Sequence, residues 1–119
     1  MTIFRVLIAY EEAYLAYAEV LGAAVGYAEP EAEVRVVPPR ELRAEVARFE
    51  PHLVISSRPT DVSPGVGAWY RLSPEPDEPS EMRLSGRRWA CTNPDLGALA
   101  RIVDSVAGLV RDGRDPADV

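Results

Sequence analysis

Ser56, Ser57 and Arg58 close the stretch PHLVISSR, directly after the apolar run Leu53, Val54 and Ile55. In small α/β proteins the carboxyl end of such a strand is where ligands and reactive groups gather. A second polar group, Glu11 and Glu12, follows another apolar run, Ile3 to Tyr10. A third, Thr92 and Asn93, follows the segment RRWAC. Brought to one sheet edge, Glu11, Glu12, Ser56, Ser57, Arg58, Thr92 and Asn93 have the polarity of a small-ligand pocket. The same residues also have structural uses. Carboxylates favour the positive end of a helix dipole, Asn93 is a good N-cap, and serines satisfy loop amides.

His52 and Cys91 are the only residues of their types. A Cys/His nucleophilic pair requires the two side chains in contact. His52 precedes its strand and Cys91 ends another, which predicts opposite edges of the sheet. The expected readings are a surface histidine and a buried thiol.

Composition narrows the chemistry further. The chain has 119 residues, a net charge of -6 and 47% hydrophobic residues, the profile of one globular domain. A single cysteine excludes an internal disulfide framework and a multi-cysteine metal site, and fits a reducing cytoplasm. MTIFRVLIAY lacks the longer apolar region and cleavage site of a signal peptide, and no apolar run is long enough to span a bilayer. The acidic balance opposes nucleic acid, because the small cluster Arg83, Arg87 and Arg88 does not make a basic stripe. All 13 basic residues are arginine. Schiff-base catalysis, a lysine general base and a P-loop lysine are thereby excluded. No metal and no cofactor is expected. The loop AYEEAY is acidic and bulky where a flavin or nucleotide phosphate needs small residues and free amides.

The elements that must position these residues follow from pattern. Ile3–Tyr10 reads as an inner strand. Glu11 and Glu12 open a helix whose buried stripe is Tyr14, Tyr17, Ala18, Leu21, Ala24 and Val25, ending between Gly26 and Pro30. Glu33–Val37 alternates as an edge strand, and Pro39 seats an amphipathic helix with Leu42, Val46 and Phe49 on its apolar stripe. The order β-α-β-α-β implies a parallel sheet with right-handed crossovers. AWYRLS and SEMRLS then read as two strands joined by the acidic loop PEPDEP. RRWACT is a last strand, and Leu96, Leu99, Val103, Val106 and Val110 form the apolar face of a final helix behind Asn93 and Pro94. Residues 1–113 are expected to form one domain and 114–119 a flexible tail.

This pattern resembles response-regulator receiver domains. The resemblance is carried by VLIAYEEAYLAYAEVL with the charged second helix, by PHLVISS, and by CTNPDLGALARIVDSV. It covers about sixty residues at the start and about twenty-five at the end, and rests on order rather than a diagnostic motif. It implies a flavodoxin-like three-layer α/β sandwich: a mainly parallel sheet of 4–5 strands, about three helices, and a hairpin insertion where a receiver has its third and fourth helices. Receivers carry an acidic pair after the first strand for Mg²⁺; the matching positions are Tyr10 and Glu11, followed by Glu12. Their phosphoryl-accepting aspartate matches Ser57, and the lysine before the last helix matches Asn93. The resemblance therefore implies a receiver-like signalling domain without aspartyl phosphotransfer. Such a domain works through a protein partner or a homodimer, without catalytic residues, nucleic acid or membrane. Trp69 and Tyr70, adjacent in a strand, point to opposite faces, and an exposed one would be an interaction anchor. The alternative is a small-molecule-binding protein or minor enzyme using Glu11, Ser57 and Arg58 at the polar edge.

Overall fold

The computed structural model describes residues 3–57, 67–72, 80–84, 87–91 and 96–113. Among them the chain forms β1 (Arg5–Ala9), α1 (Leu15–Ala28), β2 (Glu33–Val37), α2 (Leu42–Phe49), β3 (Leu53–Ser56), β4 (Ala68–Arg71), β5 (Ser80–Leu84), β6 (Arg87–Cys91) and α3 (Leu96–Arg111). All six strands join one sheet in the order β2-β1-β3-β4-β5-β6. The first four run parallel, and β5 and β6 are added antiparallel on the β4 side. The protein is thus an α/β structure with a mostly parallel, mixed sheet. AWYRLS and SEMRLS pair antiparallel, as the expected hairpin does, and because this pair and RRWAC all join the one sheet it has six strands rather than four to five.

Burial explains the strand patterns. Val6 to Ala9 of β1 and every residue of β3 are buried, as strands covered on both faces must be. β2 pairs only with β1, and its mixed burial is that of an edge strand. One face of the sheet sets Val6, Ile8, Leu53, Ile55, Tyr70 and Met82 against Ala18, Leu21 and Val25 of α1 and Leu99, Val103 and Val106 of α3. The other sets Leu7, Ala9, Val54 and Trp69 against Leu42 and Phe49 of α2. Helices therefore lie on both faces. Each fully buried aliphatic side chain stabilises by about 1.5–3 kcal/mol relative to exposure, so the two clusters fix the layers.

Polar contacts lock the helix ends. A 3-10 turn, Glu12–Tyr14, precedes α1, so the helix proper begins one turn later than expected. Glu29, just beyond α1, is buried and ion-paired with Arg111 at the end of α3. Glu45 of α2 is buried too, despite its place in a charged segment, because Arg35 and Arg48 both pair with its carboxylate. Arg35 also lies 4.4 Å from the ring centre of Phe49.

His52 is not the expected surface residue. It is half-buried, its backbone N–H donates to the Arg5 carbonyl at 2.9 Å, and its Nδ1 accepts the Arg5 N–H at 3.0 Å. It continues the β3–β1 pairing at the amino end of β3. Cys91 ends β6 opposite Ser80, across the sheet from that edge.

Candidate functional site

The carboxyl ends of β1 and β3 are laced together by backbone bonds. Ser57 N–H donates to the Ala9 carbonyl at 3.3 Å, and Tyr10 N–H donates to the Val37 carbonyl at 3.3 Å. Leu72 N–H, just after β4, donates to the Ser56 carbonyl at 2.9 Å. These bonds bring Tyr10, Ser56 and Ser57 to one edge, with Glu11 and Glu12 beside them. Arg58, Thr92 and Asn93 lie outside the described residues.

Tyr10 does not face the crevice. Its side chain is buried in the α1/α3 core, reaches past β3, and donates its phenol proton to the Leu72 carbonyl at 2.5 Å. Its ring meets Tyr17 edge-on, with centres 5.4 Å apart. Burial, reinforced by the neighbouring Tyr17 and Tyr70 phenols, pushes the Tyr10 hydroxyl well above the usual tyrosine range. It is therefore a neutral hydrogen-bond donor at any physiological pH. The resemblance would put an acidic Mg²⁺ ligand at this position.

Ser56 is also committed. Its Oγ accepts a 2.8 Å hydrogen bond from Trp69 Nε1, on the opposite face of the sheet from Tyr10. Ser57 is half-buried at the edge. A serine nucleophile needs an adjacent base, and His52, the chain's one histidine, sits at the far end of β3 with Nδ1 engaged.

Glu11 is half-buried, and its carbonyl accepts the Tyr14 N–H at 2.8 Å, while Glu12 is exposed. Two adjacent carboxylates by themselves are a poor magnesium site. No group of three or more His, Cys, Asp or Glu among the described residues has metal-binding geometry.

Trp69 and Tyr70 point to opposite faces, but neither is exposed: they are 3% and 0% accessible. β4 has a neighbour on each side and covered faces, so both aromatic rings go into the two cores. They are not available as surface anchors.

Two grooves lined by described residues lie away from the carboxyl edge. One, of about 330 Å³, runs beside Phe4, Glu29 and Val110 near the start of β1. The other, of about 300 Å³, lies between Met82 and Leu84 of β5 and Ile102 of α3. No helix among the described residues is long and apolar enough to cross a membrane.

Sequence reading missed the Leu72 carbonyl as a partner for Tyr10. No local signal marked it, because the acceptor lies 62 residues away; the Tyr10–Tyr17 spacing signals only the ring contact. Comparison of the chain with protein-family models, with curated proteins and with solved structures gives no match.

Proposed function

We propose that this chain is a non-catalytic, receiver-like signalling domain of the flavodoxin-like kind, which works through protein contacts in the cytoplasm and is not phosphorylated on aspartate. The observation that carries this reading is Tyr10. Where a receiver needs a carboxylate for Mg²⁺, this chain has a buried phenol bonded to the Leu72 carbonyl. The rest of the chemistry is altered in the same sense. Ser57 takes the phosphoryl-acceptor position, and a serine hydroxyl has far too high a pKa to replace an aspartate without a base. The parallel order β2-β1-β3-β4, with α1 and α3 on one face and α2 on the other, supports the likeness in arrangement. β5 is the departure, since it runs antiparallel between β4 and β6.

The test is incubation with Mg²⁺ and either acetyl phosphate or beryllofluoride, followed by intact mass and thermal unfolding. The expected result is no covalent adduct and no shift in Tm. Stabilisation by beryllofluoride that depends on Mg²⁺ would overturn the reading.

A further inference from the structure

The outer face of α1 is apolar and exposed. Over Leu15–Ala28 the helix reads LAYAEVLGAAVGYA, with Glu19 its only charged residue. A helix apolar all round belongs in an interior. Yet Ala16, Val20, Ala23 and Tyr27 are all exposed, Val20 at 51% and Tyr27 at 91%. Their spacing of four, three and four residues puts them on one stripe, the seam along which helices pair. Leu15, 48% exposed, and Val36 on the adjoining edge strand, 39% exposed, extend the patch on one flank.

We propose that this stripe is the interface with a second copy of the chain, packed as two antiparallel α1 helices about a two-fold axis. The argument is the symmetry of the stripe. Its members are placed evenly about the midpoint between Leu21 and Gly22, so a two-fold axis there sets Ala16 against Tyr27 of the other copy and Val20 against Ala23. Each pairing puts a small side chain opposite a large one, which is what an isologous contact needs. Glu19 falls opposite Ala24 of the other copy, so the two carboxylates do not meet.

Charge decides between occupants. Membrane-surface helices carry Lys or Arg on their polar flank, and α1 has none. Self-association brings together two chains of net charge -6, so salt strengthens it by screening; a basic partner would be released by salt. Area sets the strength. A stable interface removes about 800 Å² from each partner, more than one 14-residue helix of about 21 Å offers. The dimer is therefore concentration-dependent.

This assignment deepens the protein-contact reading by naming the partner, and the two fail separately. A beryllofluoride complex would end the first without touching α1, and a strict monomer would end the second without restoring phosphotransfer.

Sedimentation of the full chain, over concentrations up to about 1 mM, tests it. The mass should rise from the 13.0 kDa monomer towards twice that value, and more readily at high salt. Val20→Glu and Ala23→Arg change exposed positions and leave the fold intact by circular dichroism. Each alone should stay monomeric. Mixed in equal amounts they should dimerise again, because residue 20 of one faces residue 23 of the other. A wild type that remains monomeric throughout, a dimer that Val20→Glu leaves unchanged, or no recovery on mixing overturns the proposal.

Discussion

Trp69 donates its indole N–H to the hydroxyl of Ser56 across 2.8 Å of buried space. The bond joins neighbouring parallel strands on the face covered by α2. It gives Ser56 a structural task where the sheet edge would otherwise suggest a reactive one. An indole N–H inside a core needs an acceptor, and Ser56 supplies it without a charge.

Ser56→Ala removes that acceptor and leaves the indole N–H buried. The expected loss of stability is about 1–3 kcal/mol, measured by urea unfolding. Ser56→Thr keeps a hydroxyl and should lose less. If Ser56→Ala unfolds at the wild-type urea midpoint, the bond contributes nothing to stability.

Tyr10 makes stability depend on alkaline pH. Its folded-state pKa is raised above the ordinary 10.0, chiefly by burial, so the folded chain holds this proton where the unfolded chain has released it. The resulting stability is fully present below pH 10 and is lost as the pH climbs above it, by up to about 1.4 kcal/mol per pH unit for one such group. Tyr17 is shifted in the same direction by burial and adds to the slope. Tyr10→Phe should therefore flatten the decline above pH 10. At neutral pH it should cost about 1–2 kcal/mol, because the Leu72 carbonyl loses its donor. Unfolding midpoints at pH 7 and at several values above 10 check both parts; an unchanged alkaline slope would contradict the assignment.

The first half of the chain was largely legible because its signals are local. The apolar run Ile3–Tyr10 contains β1, Leu53–Ile55 lies inside β3, and the stripe Leu42, Val46, Phe49 marks α2. The elements of the second half were legible too, as β4, β5, β6 and α3, but the way its strands join the sheet was not. AWYRLS and SEMRLS are short and bounded by Pro and Gly, so their pattern marks a hairpin without saying how that hairpin meets β3. The antiparallel pairings of β5 with β4 and β6 are between neighbours in sequence, whereas the parallel β3–β4 pairing depends on partners distant in sequence. The same limit hid the site. Tyr10 finds its acceptor 62 residues away, and Trp69 and Tyr70 are both buried because cores lie on each side of β4. The lone charge in α1 was visible, but its exposed stripe could be identified only once the buried side was known.

Glu50 ends α2 with φ 52° and ψ 59°, a left-handed backbone that costs a residue with a Cβ about 1–2 kcal/mol. Its N–H donates to the Val46 carbonyl, and its own carbonyl accepts Arg5 Nε at 2.9 Å. Both bonds use the backbone, so Glu50→Gly keeps them and relieves the strain. Glycine also regains freedom in the unfolded chain, which leaves a net gain of about 1 kcal/mol. A raised urea midpoint with an unchanged slope is the expected outcome.

Gly22 lies in the middle of α1, where glycine costs about 0.8–1 kcal/mol relative to alanine. A Cβ there would meet Ile8 Cδ1 at 3.8 Å and Val34 Cγ1 and Val36 Cγ2 at 3.9 Å, all ordinary contacts. Gly22→Ala therefore gains helix propensity and a little apolar burial without a clash. It should raise stability by about 1 kcal/mol, read as an increase in Tm. A lowered Tm would mean that α1 sits closer to β2 than these distances allow. The methyl would point towards β2 rather than along Ala16, Val20, Ala23 and Tyr27. The variant should consequently dimerise as the wild type does, which separates the two roles of one helix: its inner side sets stability and its outer stripe sets association.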